Sequence, residues 1–406
     1  MTVVEFLDKN PIENMINTVT LAPDRVLFLG GESGEEQIRI YRDFLRWKGL
    51  NTEVVFYPVD RNSLSPVVQA LEKIVTSDDT FCFDLTGGDD LSLVAMGIIY
   101  QKYRAERNIQ MHRIHIPSGK VTDCDGDGVL PDFRPMRMGV EEHIRLHGCA
   151  VSSVDAVTFD FDREERTDLR RIWEICRIDP TLYNQGINGL NELKKTSGTL
   201  TDGLAVRIPA YSGEKQSAYN RNRRAAVQLL SSLAKCGVIR ELHADGGRLS
   251  FRYKSACVRH CLAKAGNILE NHVLLTARSI RDGDGFFYHD AQGGVVIDWN
   301  GKQHRNDDAT SNEIDVILMH GLIPVYISCK NGSVQDDELY KLNTVAAYSG
   351  GAYAKKVLIA TEWNKTPSAL QHFRSRAADM GITLIENTHK MSDQQLRRRL
   401  KSLVDS

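Results

Sequence analysis

The chain has 406 residues, with 51 Lys and Arg against 53 Asp and Glu, a formal charge of −2, and 42% apolar and 26% charged residues. That length suits two or three domains, each able to bury its own core. The near-neutral balance excludes a globally basic nucleic-acid coat and an acidic tail, though not a local basic groove. No apolar run reaches the ~18–20 residues of a membrane helix, and the longest, 93–100, contains Gly97 and reads as core. Glu5, Asp8 and Lys9 argue against a signal peptide, so a cytoplasmic protein that makes no membrane contact is expected. The eight cysteines are scattered in apolar context, as reduced buried thiols would be. Cys257, His260 and Cys261 come nearest to a metal cluster, but no second Cys pair completes it.

In chain order, residues 1–150 alternate strand and helix. An apolar run at 26–29 ends in Gly30 and Gly31, and a helical pattern follows over 35–47. A second strand is expected at 52–57, a helix at 64–74, and a strand at 81–85 closed by Thr86, Gly87 and Gly88. A helix over 90–103 and a strand at 113–116 follow. Strands separated by helices of this length imply βαβ units, hence a doubly wound parallel sheet. Ligands of such sheets sit beyond the carboxyl ends of the strands, where both glycine pairs fall. Ser118 and Gly119 mark a hairpin turn, and a short helix is expected over 140–147. The acidic run Asp123, Asp125, Asp127, Gly128 imitates the start of a calcium loop. Arg134 falls where the bidentate Glu is needed, so it reads as a polar loop.

Residues 151–262 read as a connector. Its 162–171 stretch is charge-rich, and 184–203, rich in Gly, Asn and Thr, reads as loop. An amphipathic helix at 225–234 precedes a hairpin centred on Gly246 and Gly247, which resembles a winged-helix unit. Arg221, Arg223 and Arg224 form its basic cluster, read as a solvated helix start. Residues 263–406 return to mixed α/β. Helices are expected over 262–277 and 336–348, and strands at 286–288, 295–299, 313–319, 324–329 and 357–361.

The stretch 312–332 carries the most chemistry. Two apolar strands meet at a tight turn near His320 and Gly321. Period-2 alternation puts Glu313 and Asp315 on one face of the first strand, and Ser328 and Lys330 on one face of the second. A carboxylate beside a lysine suits metal-assisted phosphodiester hydrolysis. The carboxylate binds a hard divalent cation, the cation activates water, and the amine offsets charge on the phosphate. Upstream, Glu270 follows the apolar Ile268 and Leu269 on a helix, where an unpaired carboxylate is expensive to bury.

The order Glu270, Asp315, Lys330, with helix and strand placement, resembles the PD-(D/E)xK restriction-endonuclease-like superfamily. The departure is Ser328, where that family usually has Glu or Asp. Glu313, or Glu338 on the following helix, stands as a replacement. The resemblance implies Glu270, Asp315, Lys330 and Glu313 as catalytic residues, with Mn²⁺ or Mg²⁺ on Asp315 and Glu270.

At the other end, 84–91 (Asp-Leu-Thr-Gly-Gly-Asp-Asp-Leu) resembles the Thr-Gly-Gly signature of CARF domains. Neither glycine loop matches a dinucleotide fingerprint or carries a Walker lysine. Taken whole, the chain resembles the two-domain CARF nucleases of type III CRISPR systems. That resemblance implies a Rossmann-like sheet at 1–150, a winged-helix-like connector at 151–262 and a nuclease-like α/β domain at 263–406. It also implies a homodimer that binds a cyclic oligoadenylate, cyclic tetra-adenylate by analogy, through Gly30, Gly31, Ser33, Thr86, Gly87, Gly88, Asp89 and Asp90. The bound activator would switch on cleavage of single-stranded DNA or RNA, with nicking of duplex DNA. Asp89 and Asp90 depart from the Thr-Lys of many members and suit ribose hydroxyls or adenine N6 better than phosphate. Two other readings stay open: a ligand-sensing regulator that binds nucleic acid without cutting, and a nucleotide-binding enzyme that uses the N-terminal sheet alone.

Overall fold

The structure, a computed structural model, describes residues 1–76, 79–126, 128–129, 136–152, 161–211, 213–301, 311–363 and 365–405. Asp127 and Arg134 of the acidic run lie outside them. The first unit alternates strand and helix: β1 (Thr2–Phe6), α1 (Pro11–Leu21), β2 (Arg25–Gly30), α2 (Glu35–Lys48), β3 (Glu53–Pro58), α3 (Leu64–Val75), β4 (Phe81–Asp84), α4 (Asp90–Tyr103) and β5 (Ile109–His115). The short strands β6 (Lys120–Asp123) and β7 (Gly128–Val129) complete a sheet of order β3-β2-β1-β4-β5-β6-β7. β1 to β5 run parallel, and β6 and β7 fold back antiparallel. This is the doubly wound Rossmann order, with the crossover between β2 and β4 on either side of β1. Its two faces bury separate cores, one under α1 and α2 and one under α3 and α4.

β1 was not foreseen. Its sequence carries Glu5 amid apolar residues, and all five of its residues are buried, so polar–apolar alternation is absent. The fourth expected strand, 113–116, begins earlier, at Ile109.

Next come α5 (Val140–Leu146), β8 (Ala150–Val151), α6 (Arg163–Ile178), α7 (Pro180–Thr196), β9 (Leu200–Asp202), β10 (Ala205–Ile208), α8 (Gln216–Lys235), β11 (Ile239–His243) and β12 (Leu249–Tyr253). The four short strands from β9 to β12 pair in the order β11-β12-β10-β9 beside α8, a helix-and-hairpin unit of winged-helix type. Arg223 of the basic cluster donates to Ala244 O (3.1 Å) and Arg248 O (3.3 Å), tying α8 to the hairpin turn.

The expected loop at 184–203 is largely the helix α7. Asp179 caps it by accepting from Leu182 N, and Pro180 opens it. Its glycines serve close packing rather than a turn. A Cβ on Gly186 would lie 2.6 Å from Leu229 Cβ, and one on Gly189 would lie 2.6 Å from Asn222 O.

The last unit comprises α9 (Ala256–Cys261), α10 (Asn267–Arg278), β13 (Arg281–Asp282), β14 (Gly285–Phe286), β15 (Asp290–Asp298), β16 (Ser311–His320), β17 (Ile323–Lys330), α11 (Asp337–Gly350), β18 (Lys355–Ala360), α12 (Pro367–Asp379), β19 (Ile382–Ile385) and α13 (Asp393–Lys401). The helix expected over 262–277 starts later, as α10 at Asn267, and α9 before it ends at Cys261, outside that range. The strand expected at 286–288 stops at Phe286. The main sheet is ordered β19-β18-β17-β16-β15-β8. One face packs on α6, α10 and the connector, and the other on α1, α2, α5 and α11. All eight cysteines are free thiols, six of them buried. No helix among the described residues is long and apolar enough to cross a membrane.

Inside the first sheet, Glu5 and Asp84 are buried on neighbouring strands. Thr18 Oγ1 donates to Glu5 (2.8 Å), and Asp84 accepts from Thr86 N (2.8 Å). Burial, then the proximity of Asp84, raises Glu5 well above the carboxylate range; burial pushes Asp84 up to about 7. Unfolded, such acids ionise near pH ~4, so the native state loses stability as pH climbs from there to about 7. Asp84→Asn keeps an acceptor for the Thr86 amide and removes the charge. It should stabilise the protein at about pH 8 relative to about pH 4.5, by on the order of 1–4 kcal/mol in denaturant titrations. An effect independent of pH would contradict the assignment.

Candidate functional site

β16 and β17 pair from His320↔Ile323 to Val316↔Ile327 and then separate, although β17 continues to Lys330. Asp315 stands where they part. Its Oδ2 accepts the Cys329 backbone N–H at 2.6 Å and the Ser328 hydroxyl at 3.3 Å. A side-chain oxygen thus takes the acceptor place that the diverging strand has left. On the other side of β16, the expected alternation flips at β15. Ala291 faces the α10 side, whereas Val295 and Ile297 face the opposite core. Gly294 takes φ +61°, left-handed backbone that a side chain adopts only under strain. A Cβ on Gly293 would lie 3.0 Å from Leu274. The β15–β16 ladder lacks only its Gly294–Asp315 pair, and the side-chain-free glycines leave space beside Glu313 and Asp315.

Glu270 enters from the first turn of α10. The buried Ile268 and Leu269 anchor that turn. Gly266 makes room for the carboxylate, since a Cβ there would lie 3.0 Å from Glu270 Oε1. Glu270, Glu313 and Asp315 line one cavity of about 220 Å³, together with Gly293, Gly294 and Lys264. Burial, then the Asp315 and Glu313 carboxylates, pushes Glu270 up to about 8. Asp315 is also raised by burial, against the pull of Lys330 and the Cys329 amide. Lys330 Nζ pairs with Glu338 Oε2 at 2.9 Å. Burial alone would lower its pKa, but Asp315 and Glu338 more than offset that.

The structure therefore brings Glu270, Asp315, Glu313 and Lys330 into one electrostatic neighbourhood. Glu338 is engaged by Lys330 and, at 3.6 Å, by Lys341. Among the described residues no three His, Cys, Asp or Glu side chains converge tightly enough to enclose a metal ion. Cys257 and Cys261 are buried with raised thiol pKa values, while His260 lines the acid cavity. Oxygen donors around a shared cavity are the chemistry a hard divalent cation takes, and Asp315, Glu270 and Glu313 are the residues that could supply it. Gly293, Gly294, Lys264 and Arg278 were missed in the sequence. The signal was there in part: paired glycines inside an otherwise β-branched run mark a bulge or a close approach.

The second site candidate lies at the carboxyl ends of β2 and β4. Gly30 is packed, with a Cβ meeting Leu7 at 2.9 Å, whereas nothing lies within 4 Å of one on Gly31. Ser33 is exposed on the turn into α2. Thr86 accepts the Ile114 amide at 2.9 Å, locking its loop to β5. Gly88 takes φ +99°. Asp89 caps α4 by accepting from Ser92 N (2.9 Å) and pairs with Arg61 at 3.2 Å. Asp90 is exposed. Arg61, which also donates to Leu7 O at 2.6 Å, is a cation at this edge that sequence reading passed over.

The chain thus joins a Rossmann-type sheet, through a winged-helix-like unit, to a second, mixed α/β sheet. Over 100% of its length the chain is similar to protein VC1899 from Vibrio cholerae, with 98% of that chain covered, 18% identity and a TM-score of 0.74. It is likewise similar, over 100% of its length and 97% of the other chain, to Can2 from Sulfobacillus thermosulfidooxidans, solved in complex with cyclic tetra-adenylate, at 15% identity and a TM-score of 0.64. No protein-family model matches the chain, and no curated protein matches it in sequence.

The acid cavity makes a direct prediction. In metal-free protein, carboxyl-carbon NMR should find Glu270 titrating at about 8, and Asp315→Asn should bring it down towards ordinary carboxylate values. An unmoved midpoint would show that the two groups do not sense each other. Asp315→Asn keeps an acceptor for the Cys329 amide, but Asp315→Ala does not, and should cost about 1–3 kcal/mol more in denaturant titrations.

Proposed function

We propose that this protein is a nuclease gated by cyclic oligoadenylate, hydrolysing phosphodiester bonds at the cavity of Glu270, Asp315 and Glu313. The observation that carries the reading is the crowding of Glu270 against Asp315 beside Lys330. Such a cluster of perturbed groups in a cavity is the mark of a functional site. The likeness in fold to a protein solved with cyclic tetra-adenylate supports the same ligand at the carboxyl ends of β2 and β4.

Asp315 and Glu270 would hold a divalent cation, Mg²⁺ or Mn²⁺, with Glu313 beside them on the cavity wall. Such a cation, when bound, polarises the phosphoryl oxygen and lowers the pKa of water. The chain's own residues do the rest. The Cys329 amide and Ser328 hydroxyl fix Asp315 in one rotamer. Lys330, held by Glu338, keeps its proton and offsets charge that builds on the phosphate. Gly293 and Gly294 leave the cavity open to a strand. In the reaction a water oxygen bonds to phosphorus, the bond from phosphorus to one ester oxygen breaks, and that oxygen leaves with a proton. Single-stranded DNA or RNA is the substrate that suits an open cavity.

On the sensor sheet, α4 is apolar on both sides. Ala95, Met96 and Ile99 are buried, while Leu91, Val94 and Ile98 form an exposed stripe 38–51% accessible. A second copy of the chain covers that stripe in this reading, and a two-fold dimer matches a symmetric cyclic ligand. Val94→Glu should shift the protein to monomer in sedimentation velocity and abolish activation.

Ser328 favours one rival, a sensor that binds nucleic acid without cutting. Cleavage of labelled single-stranded DNA and RNA, with Mg²⁺ or Mn²⁺ and with or without cyclic tetra-adenylate, separates the two. Activator-dependent cleavage is expected, and Glu270→Gln, Asp315→Asn and Lys330→Ala should each lower it by about 10²-fold or more. Binding without turnover under every condition would favour the rival. Cleavage that survives these substitutions would place the chemistry elsewhere.

A further inference from the structure

Helix α10 has a second cavity on its other flank. Glu270, Asn271 and Leu274 line the acid cavity, while His272, Leu275 and Thr276 line a neighbour of about 260 Å³. The sign of the charge reverses across the helix. Arg166 and Arg170 of α6, Arg278 at the end of α10, Arg281 of β13 and Arg397 of α13 line the second cavity, with Asp393 as its one lining carboxylate among the described residues. Arg278 lines both cavities. Its guanidinium donates to Ala291 O (2.7 and 3.1 Å), two residues before the Gly293–Gly294 opening.

Several of these side chains are held in place. Arg166 Nε donates to Phe161 O at 2.7 Å, and Arg397 Nε to Ser279 Oγ at 2.9 Å. Arg281 lies over the ring of Phe286, 3.5 Å from its centroid. Phe286, paired with Arg281 at the open end of the β13–β14 hairpin, is half exposed and lines the same cavity. Asp282 of that hairpin is paired with Lys401 at 3.1 Å.

Like charges gathered this way repel one another and gain from a polyanion. Guanidiniums present forked N–H donors to phosphate, and an exposed ring beside them offers a stacking face for a base. A free phosphate would use only the charge; a single strand would use charge, ring and the shared Arg278 together. We infer that the arginine cavity is the anchoring site for the strand backbone, with Phe286 stacking on a base and Arg278 guiding the adjacent phosphate into the acid cavity. This rests on the nuclease reading for what happens at the acids, but not for binding.

The test is fluorescence anisotropy of full-length protein with a labelled oligothymidylate, in chelator so that nothing is cut, with and without cyclic tetra-adenylate, across a salt series. Arg170→Gln and Arg281→Gln should each weaken binding several-fold and reduce the slope of log Kd against log salt by about 0.7. Phe286→Ala should weaken binding by about 5- to 10-fold with the slope unchanged. Arg224→Gln, on the exposed flank of α8, should leave affinity and slope alone, and melting temperatures check that each variant is folded. Wild-type affinity and slope in folded Arg170→Gln and Arg281→Gln overturn the inference, as does oligothymidylate binding in neither activator state. Polyglutamate bound as tightly as the oligonucleotide overturns it in favour of an acidic peptide. Failure of the nuclease reading looks different: the wild type binds strand through these arginines yet does not cut.

Discussion

The site turns on where two strands separate. Asp315 occupies the point at which β16 leaves β17, and its carboxylate accepts the amide that the missing ladder partner would have taken. That bond holds the charge in a half-buried position instead of letting it turn to solvent. Once Asp315 is fixed there, Glu270 on α10 is forced to share its environment, and two carboxylates at close range in low dielectric cannot both ionise freely. Lys330 offsets part of this, though its ammonium is divided between Asp315 and Glu338. Three carboxylates thus line one cavity, and their repulsion is relieved by Glu270 holding its proton up to about pH 8.

Around this point the C-terminal sheet acts as the shared wall of two cores. On one side lie α10, α6 and the connector helices. On the other, the core continues without a break from α1 and α2 of the first unit through α5 to Ile314, Ile317 and Tyr326. α5 is bound in several directions. Glu142 pairs with Lys48 of α2, Val140 N donates to Asp290 of β15 (2.8 Å), and His143 hydrogen-bonds Gly350 O at the end of α11 (3.0 Å). Ile314 immediately precedes Asp315, and Asp290 opens the strand that carries Gly293 and Gly294. Close-packed interiors transmit displacement rather than absorb it. A shift of α1 or α2 therefore has a packed route to both walls of the acid cavity. The arginine cavity, on the far side of α10, lies off that route.

Much of this was legible in the sequence because its signals are local. Short apolar runs closed by glycine place β2 and β4, and a Pro or Gly at the right end bounds several helices. Glu313 and Asp315 share a face, as alternation requires. The failures have common physical causes. β1 is buried throughout, so it lacks the alternation that betrays a half-exposed strand. α7 reads as loop because Gly186 and Gly189 are low in helix propensity, yet only glycine lets α8 approach so closely there. Arg278 and the Gly293–Gly294 opening belong to the site through contacts that short-range patterns do not encode. The arginine cavity draws its charges from α6, α10, β13 and α13, so no stretch of sequence shows it as a basic patch.

Ser328 finds its explanation at the same strand divergence. In register it falls opposite Asp315, and its hydroxyl donates to the Asp315 oxygen that also accepts the Cys329 amide. A carboxylate at 328 would replace that donor with a second acceptor facing Asp315, in a neighbourhood where Glu270 is already pushed up to about 8. Serine relieves that repulsion and stiffens Asp315, at the cost of one negative ligand. Glu313 lines the same cavity one strand repeat away, so the third carboxylate of the pocket comes from β16 itself rather than from its neighbour. Under the nuclease reading Glu313, which lines the cavity, would stand in for the acid absent at 328 in preference to Glu338, which is engaged by Lys330 and Lys341.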